Sequence, residues 1–321
     1  MPKRRPTRRP PVKTTAVRFP APPDVPPSQR GATSVPLRYE DVTQDGRLQL
    51  DALAPALGDV VWRQLLAAHP AAGPMREQGI VPILSRLVME GGKGPHSTDH
   101  PMQASGLYDF AHVLGTDGGV ERLVVNMWVE GRLPVGHNFF PPPEGAGSLI
   151  PVGRLFAEHV LTRLFAEPSE RKVTKLSLPG IAEVPGRPVP AVTPASLLAL
   201  PDGATALEPG LSPDAVLLVF GLAHTDSNQH VNSLVYPRLF EEAALRRLAG
   251  LGKLPAPVLA RFTEAAFRKP CFAGQQVAVV LQAFELGGRL GVLGALVPPE
   301  QSRTPAAALK PYCTLRMLFE P

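Results

Sequence analysis

The sequence is poor in cysteine and contains no long apolar run. Its 321 residues include two cysteines, Cys271 and Cys313, which is too few for the disulfide framework of a small secreted domain. No stretch reaches the roughly 18 consecutive apolar residues of a membrane-spanning helix. The arginine pairs near the N-terminus are not followed by the apolar segment that a secretion signal requires. We therefore expect a cytoplasmic protein without a membrane span.

Acidic residues are almost absent from the first 30 positions. That segment holds eight lysines and arginines and a single acid, Asp24. Removing these from the totals of 33 bases and 28 acids leaves 25 bases and 27 acids, so the basic character of the chain belongs to this segment. A segment rich in proline and arginine buries too little apolar surface to offset its ordering entropy. We expect residues 1–32 to form a disordered tail. It would be either a solvated extension or a contact for an anionic partner, with nucleic acid bound nonspecifically at most.

The order of predicted elements occurs twice along the chain. In each half a short apolar strand precedes a polar turn, a long amphipathic helix and four further strands. The helices are predicted at about Leu48–Ala68 and Asn232–Ala249. The predicted strands are Val35–Glu40, Ile80–Met89, Gln103–Leu114, Val120–Val129, Leu149–Phe165, Val216–Leu222, Leu259–Lys269, Gln276–Leu286, Arg289–Val297 and Leu309–Phe319.

This repeated order predicts an α+β fold in two units. A helix with one apolar face packs well on a curved antiparallel sheet. We expect a first unit at 33–166 and a second at 214–321, joined by a linker at 167–213 that is rich in proline and glycine.

A polar segment lies between the first strand and the helix of the second half. It reads His224-Thr-Asp-Ser-Asn-Gln-His-Val-Asn-Ser-Leu-Val-Tyr236 and is followed by Phe240-Glu-Glu242. After the next predicted strand comes Phe267-Arg-Lys-Pro-Cys-Phe-Ala-Gly274. A lone aspartate before a helix is commonly an N-cap. An ordered set of acid, amide and imidazole side chains is more specific and favours a functional site.

These residues resemble the Asp-x-Asn-x-His-Val-Asn-Asn-x-x-Tyr signature of the acyl-carrier-protein thioesterases of the hotdog superfamily. The resemblance covers about Val216–Phe319, whereas the first half matches in element order alone. It implies a tandem (double) hotdog, in which each unit wraps a curved antiparallel sheet around a long helix and the active site lies where the units meet. It also implies hydrolysis of an acyl thioester on acyl carrier protein or coenzyme A, and it leaves a homodimer possible.

The resemblance also assigns roles to residues of this chain. It places Asp226, Asn228, His230 and Cys271 in catalysis and Val231, Asn232 and Tyr236 at the substrate. Amide groups at a helix start stabilise an oxyanion, and a thiolate leaves readily, so one carboxylate that attacks or activates water is sufficient.

Asp226 would supply that carboxylate, while Asn228 and His230 would orient water and substrate. A nucleophilic role for Cys271 is less favoured, because Pro270 replaces an acidic neighbour of the family. The helical pattern also predicts that Tyr236 belongs to the core and that Glu241 is solvated or paired.

Other uses of the motif are less well supported. A calcium loop that began at Asp226 would need glycine and glutamate where Val231 and Pro237 stand. Zinc would need further histidine or cysteine ligands at a local spacing. No nucleotide, flavin or pyridoxal motif occurs, so we expect neither a metal nor a cofactor. Two functional alternatives stay open: a non-catalytic hotdog that binds acyl groups or a partner, and a dehydratase- or hydratase-like hotdog.

The first half retains the predicted architecture but not the motif. Its corresponding turn reads Thr43-Gln-Asp-Gly-Arg-Leu48, with Arg47 in the place of His230. We therefore expect one functional site per chain, at the contact between an intact unit and a degenerate unit.

Overall fold

The first unit consists of one helical segment and a five-stranded antiparallel sheet. The computed structural model describes residues 16–115, 117–253 and 258–320. The strands are β1 (Arg30–Val35), β2 (Ile80–Gly91), β3 (Met102–Leu114), β4 (Val120–Pro134) and β5 (Leu149–Arg163). The helical segment α1 combines a 3-10 turn (Leu50–Leu53), an α-helical turn (Ala54–Ala56) and a π-helical stretch (Leu57–Leu66), and a short helix α2 (Ala72–Glu77) follows.

The second unit repeats this arrangement after a connecting segment. The connection contains two short strands and one helical turn: β6 (Pro188–Val189), α3 (Pro194–Leu197) and β7 (Thr205–Ala206). The second unit has β8 (Ser212–Val219), α4 (Val235–Gly250), β9 (Leu259–Phe267), β10 (Gln276–Leu286), β11 (Arg289–Val297) and β12 (Cys313–Glu320). Further 3-10 turns lie at Pro27–Gln29, Tyr39–Asp41, Leu222–His224, Pro299–Gln301 and Ala306–Ala308.

The two units share one continuous sheet. In the described residues this sheet has 12 strands. The strands of the first unit lie in the order β1-β3-β4-β5-β2, and β9-β12-β11-β10 of the second unit follow next to β2. Strands β8 and β7 both pair with β10. Strands β2 and β9 join the halves antiparallel, with Val88 opposite Glu264. The predicted α+β architecture, two helix-on-sheet units side by side, is confirmed.

Helix α4 packs one face on the sheet of the second unit. Its buried residues recur at the spacing of one helical face: Tyr236, Phe240, Ala243, Ala244 and Leu248. Pro237 lies at the third helical position, within the first turn. Amide hydrogens there have no intrahelical acceptor, so proline costs no hydrogen bond and requires no bend.

Strand β1 lies five residues earlier than the sequence predicts. It ends at Val35 and is paired with β3, and the predicted strand residues Tyr39 and Glu40 form a 3-10 turn. Pro36 explains the difference, because proline lacks the amide hydrogen that continued pairing would use.

A second apolar cluster lies on the sheet face away from the helices. It includes Trp128 and Phe156, and chain segments outside the two units cover it. The indole nitrogen of Trp128 donates to the carbonyl oxygen of Pro20 at 3.0 Å, and the guanidinium of Arg154 lies 4.3 Å from the ring centre of Phe19. The predicted disordered tail reaches residue 32, but its described part, residues 16–32, therefore packs against the sheet. Residues 1–15 lie outside the described residues.

A buried ionic cluster crosses the junction between the units. The carboxylate of Glu264 on β9 accepts hydrogen bonds from Arg86 on β2 at 2.6 and 2.8 Å and from Arg316 on β12 at 2.7 Å. Glu264 and Arg316 are both buried. No helix in the described part of the chain is long and apolar enough to cross a membrane.

Candidate active site

The motif residues occupy a tight loop between β8 and α4. Thr225 and Val231 form an isolated antiparallel bridge that closes the loop. Inside it, the amide of Asp226 donates to the carbonyl of His230 at 3.1 Å, and the amide of Gln229 donates to the carbonyl of Asp226 at 2.9 Å. Gln229 has a φ of 66°, in the left-handed region. The loop thus places the backbones of Asp226 and His230 side by side, on its two opposite sides.

The carboxylate of Asp226 is oriented by two amide groups. Oδ1 accepts the backbone N–H of Asn228 at 2.9 Å, and Oδ2 accepts the side-chain amide of Asn232 at 3.4 Å. Nδ1 of His230 lies 4.0 Å from Oδ1, close enough for electrostatic interaction but beyond a hydrogen bond. The side chains of Asp226 and His230 are 27% and 40% exposed, so a substrate can reach both.

Asn232 links this carboxylate to the start of α4. Its Oδ1 accepts the backbone N–H of Leu234 at 2.9 Å, while its amide nitrogen donates to Asp226. The carboxylate is thereby held beside the first turn of a helix, where amide groups and the helix dipole favour developing negative charge.

Cys271 and Tyr236 lie behind the loop. The backbone of Cys271 accepts the amide of Val231 at 2.8 Å, and its own amide donates to Oη of Tyr236 at 2.9 Å. Burial raises the pKa of the Cys271 thiol to about 11 and also raises the pKa of Tyr236. A thiol with such a pKa is almost entirely protonated at neutral pH, which disfavours a nucleophilic role.

The structure thus separates the predicted site residues into two groups. Asp226, Asn228, His230 and Asn232 come together at the surface of the loop. Val231, Tyr236 and Cys271 are buried, and Tyr236 packs edge-on against Phe267 with ring centres 5.6 Å apart. The buried group therefore supports the loop from within.

The first unit contains a loop with the same backbone geometry. Val42 and Leu48 form the equivalent bridge. The amide of Thr43 donates to the carbonyl of Arg47 at 2.9 Å, and the amide of Gly46 donates to the carbonyl of Thr43 at 2.9 Å. Gly46 has a φ of 78° at the position of Gln229. This register confirms that Arg47 stands where the second unit has His230.

Comparison with known proteins identifies the fold. No protein-family model matches the chain, and no curated protein matches it either. The chain is similar to an acyl-ACP thioesterase from Bacteroides thetaiotaomicron, with 15% identity, a TM-score of 0.50, and coverage of 91% of this chain and 98% of that one. It is also similar to a putative oleoyl thioesterase from Lactobacillus plantarum, with 12% identity, a TM-score of 0.53, and coverage of 91% of this chain and 95% of that one. A third similar structure is a 12:0-ACP thioesterase from Umbellularia californica, with 11% identity, a TM-score of 0.51, and coverage of 91% of this chain and 94% of that one. The chain has a double hotdog fold.

The two loops of this double hotdog differ in what surrounds them. In the first unit Arg47 pairs with Asp45 at 2.6 Å. Arg261 reaches across from β9 and donates to the carbonyl oxygens of Leu48 (3.2 Å) and Gly92. Arg261 is buried, and a Cβ added at Gly91 would lie 2.2 Å from its guanidinium. A buried side chain of the second unit therefore packs against the end of the first-unit loop. The sequence did not point to Arg261, because no local pattern distinguishes an arginine that contacts the other unit from any other arginine in a strand.

His224, which precedes the motif carboxylate, makes a local hydrogen bond. Nδ1 of His224 accepts the backbone N–H of Gly221 at 3.1 Å, so this nitrogen is not directed at Asp226. Among the described residues no group of three or more histidine, cysteine, aspartate or glutamate side chains is arranged to hold a metal ion.

Proposed function

We propose that the protein hydrolyses an acyl thioester carried on acyl carrier protein or coenzyme A. The observation that carries the proposal is the carboxylate of Asp226, which is oriented by two amide groups beside a helix start and lies 4.0 Å from His230. The structural neighbours named above as acyl-ACP and oleoyl thioesterases support the same class of reaction. The cytoplasmic location, the domain boundaries and the possible homodimer stay predictions.

The proposed reaction needs one base and one oxyanion site. Asp226 accepts a proton from a water molecule, and the oxygen of that water attacks the thioester carbonyl carbon. The carbonyl oxygen becomes an oxyanion near the first turn of α4. Collapse of this intermediate breaks the carbon–sulfur bond, and the departing thiolate takes the proton that Asp226 accepted from water, which restores the carboxylate. Asn228 and His230 orient water and substrate. Cys271 forms no bond in this scheme.

The two units provide a matched test of this proposal. Asp226→Asn removes the base and leaves an amide of the same shape, and Asp45→Asn removes the carboxylate of the first-unit loop, which stands at the position of Asn228. Free thiol released from a panel of acyl thioesters measures turnover, and circular dichroism checks folding. We expect Asp226→Asn to lower kcat about 10²–10⁴-fold, the usual contribution of a positioned base. Asp45→Asn should have little effect, and His230→Gln should lower kcat less than Asp226→Asn does.

Two outcomes contradict the proposal. The first is a folded Asp226→Asn protein with the turnover of the parent. The second is an equal loss of turnover in Asp45→Asn, which would assign catalysis to the first unit.

A further inference from the structure

A small cavity lies where the two units meet, next to the candidate active site. Its lining comes from both units and includes Asp51, Met89, Leu234, Arg238, Glu241 and Thr263. Its volume is about 40 Å³. A water molecule needs about 10–15 Å³ of such space, so the cavity has room for roughly three waters and, on the same scale, for a chain of only a few carbons.

The cavity is linked to the proposed base through the start of α4. Leu234 lines it, and the backbone N–H of Leu234 donates to Asn232. Asn232 in turn donates to the carboxylate of Asp226. The start of α4, where the thioester carbonyl is proposed to bind, therefore forms one wall of this cavity.

The cavity wall is polar on one side and apolar on the other. Glu241 of α4 is largely buried, and its Oε1 accepts the backbone N–H of Ala260 at 3.2 Å. Thr263 on β9 is buried beside it in the lining. Burial raises the pKa of the Glu241 carboxyl, and the charge of Asp51 adds to this effect. A carboxyl accepts hydrogen bonds in either protonation state.

An ion pair between the units stands at the same cavity. Nε of Arg238, at the start of α4, lies 2.5 Å from Oδ2 of Asp51 in α1. Asp51 is mostly buried, whereas Arg238 is 59% exposed. The pair links the two helix starts beside the cavity.

We propose that this cavity takes the acyl group of the substrate, and that it selects a short acyl chain of about four carbons that bears a hydroxyl or oxo group. The proposal rests on the thioesterase function proposed above. Glu241 and Thr263 would hydrogen-bond the polar substituent, while Met89 and Leu234 would contact its carbon chain. A buried polar site discriminates strongly against an analogue that lacks the matching group, because the hydrogen-bonding groups of the site then lose their partner. A long unsubstituted acyl chain exceeds the volume of the cavity and offers Glu241 and Thr263 no hydrogen-bond partner.

The experiment compares coenzyme A thioesters of 3-hydroxybutyrate, butyrate and laurate. For the full chain we expect kcat/KM for 3-hydroxybutyryl to exceed that for butyryl by at least about tenfold, and lauroyl to be the poorest substrate. Thr263→Val, which replaces one hydroxyl by a methyl group, and Glu241→Leu should each lower this ratio several-fold. Glu242→Gln changes the exposed neighbouring carboxylate and should leave the ratio unchanged.

Binding provides a readout that does not need turnover. Calorimetry on the Asp226→Asn protein should detect 3-hydroxybutyryl-coenzyme A with at least about tenfold lower Kd than butyryl-coenzyme A. If no thioester releases thiol but this preference in binding is present, the thioesterase function fails and the cavity assignment stands. If thiol is released fastest from lauroyl-coenzyme A, or if Thr263→Val and Glu241→Leu leave the ratio unchanged, the cavity assignment is overturned and the thioesterase function stands.

Discussion

A buried histidine in the first unit should make the protein sensitive to acid. His159 on β5 packs edge-on against Trp62 of α1, with ring centres 5.1 Å apart. Within the described part of the chain, its Nδ1 is buried without a hydrogen-bond partner. Burial lowers the pKa of His159 to about 3, because no neighbouring group offsets the cost of a buried imidazolium.

The sign and size of the effect follow from this difference in pKa. In the unfolded chain the histidine has a pKa of about 6.5, so between pH 6.5 and 3 the unfolded state binds a proton that the native state does not. Stability is therefore lost as the pH falls below 6.5. Each pH unit in this window costs about 1.4 kcal/mol. Between pH 7.5 and pH 4.5 the loss from His159 is about 2–3 kcal/mol of unfolding free energy.

Urea unfolding of two variants at these two pH values tests the reasoning. His159→Gln removes the titrating ring, so its unfolding free energy should fall with pH by about 2–3 kcal/mol less than that of the parent. His100→Gln alters an exposed histidine and should behave as the parent does. The two proteins are compared by how much their unfolding free energy changes between the two pH values. The packing lost in His159→Gln lowers the unfolding free energy equally at both values, so it does not enter this comparison. The same pH dependence in His159→Gln and parent would refute the reasoning.

Two further changes test the site and the junction between the units. Cys271→Ala should keep turnover within about threefold, because the thiol is buried and protonated; a loss of two orders of magnitude in a folded protein would point to a cysteine nucleophile. Glu264→Ala removes the carboxylate that Arg86 and Arg316 both contact, and should cost about 3–5 kcal/mol in urea unfolding. Glu90→Ala, which breaks an exposed pair with Arg154, should cost at most about 1 kcal/mol. Similar costs for the two glutamate variants would contradict a special role of the buried cluster.

Local sequence patterns determined the elements and the position of the loop. Strands β10 and β11 have the predicted bounds, since alternating or continuous apolar runs between turn residues specify a strand without reference to the rest of the chain. Helix α4 follows from its apolar spacing. The helix begins at Val235, three residues after the predicted start at Asn232, so Pro237 lies in the first turn, where amide groups are unpaired in any case. The correspondence of Arg47 with His230 followed from element order and is borne out by the equivalent bridges.

Contacts that depend on the pairing of distant strands were decided only by the tertiary structure. Pairing of β2 with β9 brings Arg261 within hydrogen-bonding distance of the carbonyl of Leu48, 213 residues away. The Arg261 side chain then packs against the end of the first-unit loop. The same junction places Glu241 in a cavity that residues of both units line, although the sequence predicted a solvated or paired side chain. Cys271 likewise differs from the loop residues through burial, which raises the pKa of its thiol. A sequence specifies which side chains are present near a motif. How far these side chains are desolvated depends on surfaces contributed by residues far away in the chain. Their desolvation is therefore determined only when the sheet is assembled.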